Sequence, residues 1–161
     1  MMTLRSCVLA IGAVVLVPAN AGAAQMLGVP SICNAGSEPS VLVRVSGLKD
    51  RGGKIRVRTF GGSPSTYFDK TKVLKRVEYD LPDSGPVEVC VPVPAAGTYA
   101  VDVRHDVNGN GKTDRADGGG ASGNPKVSLL DILFKRKPPA RQVQVQVAEG
   151  TTVVPITLRY F

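Results

Sequence analysis

The chain has 161 residues, of which 43% are hydrophobic, 5% aromatic and 20% charged, and its formal net charge is +7. This length suits one domain, and no internal change of composition marks a second one. Aromatic residues are too sparse for a base-stacking surface, so nucleic acid is not an expected partner. The positive charge leaves open an anionic partner of another kind, such as an acidic lipid or polysaccharide.

The first 24 residues have the layout of a secretory signal peptide. Arg5 gives a positive start, residues 7–17 are apolar, and residues 18–24 are mostly small, as at a signal-peptidase site. An uncleaved membrane anchor is the alternative, but the apolar run is shorter than the roughly 20 residues that cross a bilayer. We therefore predict a periplasmic or secreted protein that does not span the membrane after signal cleavage.

Removal of the signal peptide would take Cys7 with it and leave Cys33 and Cys90. An oxidising compartment favours a disulfide between these two, and two buried free thiols are the alternative. No C-x-x-C occurs, so neither a redox motif nor a zinc site built from cysteines is supported. Residues 25–40 are small, polar and rich in Pro and Gly; we interpret them as a lead-in segment before a domain at residues 41–161.

Seven stretches of this domain alternate between apolar and polar side chains, which is the pattern of half-buried β-strands. The first two flank a Gly-Gly turn and the last two a Glu-Gly turn, so each pair predicts a β-hairpin. Prolines in the fourth stretch place it at a sheet edge or end it there. For the third stretch a short helix is the alternative. The seven stretches lie near residues 41–46, 54–58, 73–79, 87–93, 99–104, 142–147 and 154–158.

About seven short strands with many turns and little helix predict an all-β fold, an antiparallel immunoglobulin-like or transthyretin-like β-sandwich. A closed barrel is the alternative, because the number of strands does not decide closure. Residues 127–134 form the one mostly apolar stretch with the pattern of a helical turn. A buried irregular segment is the alternative there.

The fifth strand leads into an acidic loop at residues 106–117, D-V-N-G-N-G-K-T-D-R-A-D. Oxygen-bearing side chains stand at positions 1, 3, 5, 9 and 12 of a calcium-type loop, with the turn-forming glycine at position 6. The alternative is that the Asn and Asp residues only build turns. A strand enters this loop where an EF-hand has a helix, so an EF-hand is not implied. The expected calcium ligands are Asp106, Asn108, Asn110, the carbonyl of Lys112, Asp114 and Asp117.

His105 is the only histidine, and it falls on the same side of the strand as Tyr99. This position is typical of a packed, hydrogen-bonded histidine. The alternative is a hydrolase in which Asp106 orients His105 as a general base, but adjacent residues of a strand point to opposite faces. No G-x-S-x-G motif accompanies it. We predict that the protein is not an enzyme and that the Tyr99 hydroxyl bonds to nearby backbone.

Basic residues are spread along the chain, with the densest cluster at residues 135–137, Lys135 first. Arg44, Arg56 and Arg58 fall on predicted strands. Such charges usually form a solvated surface. The alternative is a basic module that binds an anionic lipid or polysaccharide of the cell envelope through these residues.

The run from residue 94 to residue 114, P-A-A-G-T-Y-A-V-D-V-R-H-D-V-N-G-N-G-K-T-D, resembles the signature of a bacterial exported family, domain of unknown function 2141. In that family a G-x-Y-A strand leads into H-D-x-N-x-N-G-K-x-D. A longer G-x-P-x-E insertion of the family is here reduced to the glycines of residues 118–120. The resemblance implies an exported sandwich similar to transthyretin-like or immunoglobulin-like domains, and it implies no activity.

Overall fold

The computed structural model describes residues 25–128, 130–131, 134 and 136–160. The predicted signal peptide, Lys135 and part of the predicted helical turn at 127–134 lie outside these residues. Within them, ten strands form two sheets, so the prediction of an all-β fold is confirmed. No helix among the described residues is long and apolar enough to cross a membrane.

The first sheet has four strands. β2 and β5 are antiparallel, whereas β1 runs parallel to β5 and β9 runs parallel to β2. Because β1 belongs to this sheet, the predicted lead-in segment is partly built into the fold. β5 lies between two strands and ends at Pro92, so the proline ends the strand and does not mark an edge. The order across the sheet is β1 (Gln25–Gly28), β5 (Val87–Pro92), β2 (Ser40–Ser46) and β9 (Thr151–Thr157).

The second sheet is antiparallel throughout, and its longest strand, β6 (Gly97–Asp106), lies at its centre. β6 pairs with β3 from Tyr99 to Asp106, and it pairs with β7 and β8 along shorter parts of its length. The predicted strand near residues 73–79 is confirmed as β4. The other strands are β3 (Lys54–Gly61), β4 (Val73–Asp80), β7 (Gly118–Ala121), β8 (Val145–Val147) and β10 (Arg159–Tyr160).

The two sheets enclose the main hydrophobic core. Every second residue of the long strands points inward, and most of these are valines whose branched side chains suit a pleated surface. Burying one such side chain stabilises the fold by roughly 1.5–3 kcal/mol. Fully buried members are Val41, Val43, Ile55, Val57, Val89, Val91, Val101 and Ile156.

A disulfide joins Cys33 of the short helix α1 (Pro30–Ala35) to Cys90 of β5, as predicted, with 6.0 Å between their Cα atoms. Cys90 points away from the core valines of its own strand and packs with Leu42 on the outer face of the first sheet. The bond therefore fixes the segment before β2 onto that face. A further short helix, α2 (Ala140–Val143), precedes β8.

Both predicted hairpins are wrong. β2 pairs with β5 and β9, while β3 pairs with β4 and β6, so residues 47–53 carry the chain from one sheet to the other. The chain makes a similar change of sheet between β8 and β9. Facing sheets are about 10 Å apart, a distance that a short loop can cross. Gly53 (φ 73°) belongs to this crossing, and a Cβ there would overlap the carbonyl oxygen of Asp106.

Candidate functional site

The end of β6 carries two adjacent polar residues, His105 and Asp106, which are both fully buried. His105 points inward, next to the core, and Asp106 points to the outer side at the start of the acidic loop. Their neighbours in β3 are Ile55 and Lys54. The chemistry of this region depends on how completely each of the two side chains is hydrogen-bonded.

Both ring nitrogens of His105 are engaged. Nε2 lies 2.8 Å from the carbonyl oxygen of Gly52 and Nδ1 lies 2.6 Å from the hydroxyl oxygen of Tyr160. A carbonyl can only accept, so Nε2 carries the hydrogen, and Nδ1 accepts from the Tyr160 hydroxyl in the neutral ring. Burial raises the pKa of that hydroxyl, which keeps it protonated as the donor. The predicted packed, hydrogen-bonded histidine is confirmed, and the geometry leaves neither nitrogen free to act as a general base.

Tyr99 lies at the other end of the same strand face and is 7% exposed. Its hydroxyl donates to the carbonyl oxygen of Ala95 at 2.6 Å. The predicted bond to nearby backbone is therefore confirmed.

Asp106 is bonded through only one of its two oxygens. Oδ2 accepts from the backbone N–H of Gly111 and from Nη2 of Arg104, each at 2.8 Å. Oδ1 is buried and has no hydrogen-bond partner among the described residues. Gly111 itself has a φ of 78°, the left-handed conformation that a glycine at position 6 of a calcium loop supplies. The loop therefore turns sharply enough to bring its backbone back to Asp106.

The middle of the loop is organised around Asp114. The side-chain amides of Asn108 and Asn110 both donate to Oδ2 of Asp114, at 2.8 Å and 2.7 Å. Their carbonyl oxygens accept from the backbone N–H groups two residues further on, those of Asn110 and Lys112. The two amide bonds hold the pKa of the Asp114 carboxyl below its ordinary value, with a smaller contribution from the charge of Lys112.

Asp117 closes the loop and is 8% exposed. Its Oδ1 accepts from the backbone N–H of Val107 at 3.2 Å, and its Oδ2 accepts from that of Asp114 at 3.0 Å. The structure thus brings Asn108, Asn110 and Asp114 together, while Asp106 and Asp117 are bonded to backbone. Within the described chain, no three His, Cys, Asp or Glu side chains are grouped as a metal centre would require.

Arg104 is a site residue that sequence reasoning missed. It is 6% exposed, and besides its bond to Asp106 its Nη1 donates to Thr113 Oγ1 at 3.0 Å. It therefore ties the acidic loop down onto the outer face of the second sheet. Strand alternation places Arg104 on the same face as Asp106, and that was the only signal in the sequence.

The arginines predicted to bind an anion are not equivalent. Arg44 pairs with Glu88 at 2.7 Å on the first sheet, and Arg58 pairs with Asp102 on the second. Arg56 has no ion pair within the described residues, and its Nε is buried without a hydrogen-bond partner. Arg56 is therefore the one of these three strand arginines whose charge the described chain leaves uncompensated.

The fold and the site define a class: a two-sheet β domain with an oxygen-rich loop at the end of its central strand. The family model described as "uncharacterized protein conserved in bacteria (DUF2141)" matches residues 43–155. This is more than half of the chain, and the protein belongs to that family, as the resemblance predicted. Comparison with curated proteins and with solved structures gave no match.

Proposed function

We propose that the protein is an exported, non-catalytic domain whose loop at residues 106–117 binds one calcium ion. The observation that carries the proposal is Oδ1 of Asp106, a buried carboxylate oxygen without a partner at the first ligand position. A buried acceptor left unbonded costs about 1–3 kcal/mol, and more when it is charged. A cation beside Oδ1 removes that cost.

The hydrogen bonds around Asp106 suit this role. Because Gly111 and Arg104 both bind Oδ2, the other oxygen stays available to an ion. A carboxylate oxygen has two lone pairs, so Asp117 can keep its bonds to backbone and still contribute an oxygen. The three carboxylates are not grouped in the described loop, so calcium binding must draw Asp106 and Asp117 towards Asp114.

The remaining ligands are supplied by side chains that already converge. Asn108 and Asn110 direct their amide NH₂ groups at Asp114 in the described loop, and a half-turn of each amide exchanges nitrogen for oxygen at nearly the same position. The half-turn gives up the bonds that the two amide oxygens accept from backbone N–H groups, a cost that the ion must offset. With the Lys112 carbonyl and Asp114, the loop offers the roughly six oxygens that calcium needs. Arg104, which is already paired with Asp106, and the nearby Lys112 and Arg115 reduce the attraction, so we expect a Kd on the order of 10⁻⁴ M or weaker.

Three further features support the rest of the proposal. The Cys33–Cys90 disulfide suits an oxidising compartment and therefore export. The bond from Tyr99 to backbone four residues upstream resembles the tyrosine corner of immunoglobulin-like sandwiches, which favours that fold class over other two-sheet folds. The completed hydrogen bonds of His105 favour a non-catalytic role over the hydrolase alternative.

The test is thermal unfolding of the chain without residues 1–24, in EDTA, in magnesium and in calcium. Calcium at about 100 times its Kd should raise the free energy of unfolding by about 2.7 kcal/mol. Magnesium should do less, because it demands a rigid octahedral site and gives up its water reluctantly. No shift at millimolar calcium, or an equal shift with magnesium, contradicts the proposal.

Two variants and a control locate the site. Asp106→Asn and Asp114→Ala should each abolish most of the calcium shift, because each removes a charged ligand. Asp83→Asn is the matched control, since Asp83 is exposed in a turn on another part of the chain; its calcium shift should equal that of the unaltered protein. Loss of the shift in the control, or retention in both loop variants, would place the ion elsewhere.

A further inference from the structure

Basic side chains follow one another across the outer face of the second sheet. Arg104 of β6 lies directly opposite Arg56 of β3, and Arg58 of β3 lies opposite Arg76 of β4. Like charges opposite each other on neighbouring strands destabilise a sheet. The arrangement is therefore unfavourable unless carboxylates or a bound anion compensate it.

Carboxylates compensate three of these four residues. Arg104 pairs with Asp106, Arg58 with Asp102, and Arg76 with Glu78. The remaining residue is Arg56, which has no ion pair within the described residues and a buried Nε without a partner. Glu78 lies opposite Arg56 in β4, but its carboxylate is bonded to Arg76. Burial, together with the charges of Arg58 and Arg104, lowers the pKa of Arg56 to about 10. Its guanidinium is still charged at neutral pH, so a partly buried positive charge lacks its counter-ion.

Two open cavities of about 560 Å³ and 770 Å³ meet at this residue, and both are lined by Arg56, Arg104 and Thr113. We call the two together the arginine groove. The acidic loop forms one wall of it. On the floor, Gly119 has no neighbouring atom within reach of a Cβ, so the sheet there is left uncovered.

Further cations line the groove. Lys70, Lys112 and Arg115 contribute to its walls, and no ion pair in the described part of the chain involves any of them. Arg115 lines the larger cavity, together with three carboxylates that are bonded to other groups, Asp102, Asp114 and Asp117. Among the described residues, the smaller cavity has no carboxylate in its lining, and there Arg56, Lys70 and Lys112 carry three positive charges without an ion pair. They come from a strand, a 3₁₀ turn and a loop, so they approach a ligand from different directions.

We propose that the arginine groove binds a phosphoryl group, with Arg56 as its principal ligand and Lys112 and Lys70 beside it. A guanidinium matches the geometry of phosphate oxygens and forms charge-assisted hydrogen bonds with them. A phosphate monoester brings a charge of about −1.5 to −2 and three acceptor oxygens at neutral pH. A carboxylate has a single charge, and its two oxygens lie in one plane. It can therefore contact fewer of the cations that approach from different elements.

This inference goes beyond the proposed calcium site and rests on different side chains, since Lys112 would give calcium only its backbone carbonyl. It also gives a location to the anion-binding alternative that the sequence suggested. Of the arginines named there, Arg44 is compensated by Glu88 on the other sheet, so it belongs to no such site. Arg56 carries the inference because its unpaired charge and its cavity coincide.

The experiment is isothermal titration of the chain without residues 1–24 with inorganic phosphate, in EDTA and at constant ionic strength. We expect saturable binding that weakens by about tenfold in Arg56→Gln, because a charge-assisted contact is lost, and by a smaller factor in Lys112→Gln. Arg44→Gln is the matched control and should bind as the unaltered protein does. The Lys112 variant keeps the test valid if Arg56→Gln fails to fold.

Further titrations identify the source of the phosphoryl group. The protein is given either a soluble sugar phosphate or phosphatidic acid vesicles. If it binds both, and Arg56→Gln weakens both, the site recognises the phosphoryl group wherever it is attached. Binding of the soluble phosphates alone supports a small-molecule ligand, and binding of the vesicles alone supports a lipid headgroup. Equal affinity for glucuronate, equal weakening in Arg44→Gln, or no binding of any phosphate probe overturns the inference. These titrations are carried out without calcium. The phosphoryl site and the calcium site can therefore be overturned independently of each other.

Discussion

His105 and Asp106 are adjacent, fully buried and polar, yet their surroundings differ. Each nitrogen of His105 has a partner, Gly52 on one side and Tyr160 on the other. Asp106 has partners on one oxygen and none among the described residues on the other. Burial alone therefore does not mark a functional residue. A buried charged group whose hydrogen bonds are incomplete is a better guide, because the fold then bears a larger cost that a ligand can remove. The neutral hydroxyl of Thr59 is also buried and unbonded within the described residues, but its cost is smaller.

The same difference separates the two faces of the second sheet. The inner face packs valines against the first sheet, and its buried histidine is satisfied. The outer face carries opposed charges, of which Arg56 stays unpaired within the described residues. Both of our functional proposals lie on this outer side. We call the inner face the closed side, because its histidine is fully hydrogen-bonded, and the outer face the open side.

The largest change in the free energy of unfolding is expected from His105→Ala, which removes the buried imidazole from the closed side. The substitution leaves a cavity and removes the partners of both Gly52 and Tyr160, so the free energy of unfolding should fall by about 3 kcal/mol or more. Denaturant unfolding measures the loss. Since the role of His105 is structural, any variant that still folds should keep its calcium shift. A loss below about 1 kcal/mol would show that the two hydrogen bonds of the buried His105 ring do not contribute as we describe.

A smaller effect is expected from Tyr160→Phe, which leaves Nδ1 of His105 unbonded. The loss should be about 1–2 kcal/mol at neutral pH, as for one buried acceptor without its donor. Because folding raises the pKa of Tyr160, the folded state holds this proton longer than the unfolded state does. The contribution is complete below the ordinary tyrosine pKa and declines as the pH rises through the raised value. Tyr160→Phe should therefore lose less stability than the unaltered protein over this alkaline range, and equal losses would contradict the assignment.

The smallest effect, and the opposite sign, is expected on the open side. Arg56→Met keeps an unbranched apolar stem and removes the charge opposite Arg104, so the ligand-free protein should gain up to about 1 kcal/mol. Thermal unfolding without phosphate measures the gain. Arg58→Met is the contrasting variant, because it leaves Asp102 without its partner and should destabilise. If Arg56→Met destabilises the protein as much as Arg58→Met does, the charge of Arg56 has a counter-ion in the folded protein, and our assignment is wrong.

The sequence predicted the strands and the loop because both depend on local patterns. Alternation marked β6, and the spacing of oxygens marked residues 106–117. Strand pairing depends on contacts between distant residues, so the glycine turn between β2 and β3 gave no sign that these strands lie in different sheets. β7 was missed because Gly118–Gly120 has no side chains to alternate. The juxtaposition of Arg56 and Arg104 follows from strand register, and the free oxygen of Asp106 follows from the fold of the loop, so alternation alone showed neither.

The central claim is that Asp106 presents a free oxygen to a calcium ion. A crystal structure of the protein grown in calcium, with the anomalous signal of the ion recorded, tests it most directly. We predict an anomalous peak about 2.3–2.6 Å from Oδ1 of Asp106, with oxygens of the same loop completing the shell. A loop without such a peak, with Oδ1 bonded only to water or to a protein donor, would contradict the account.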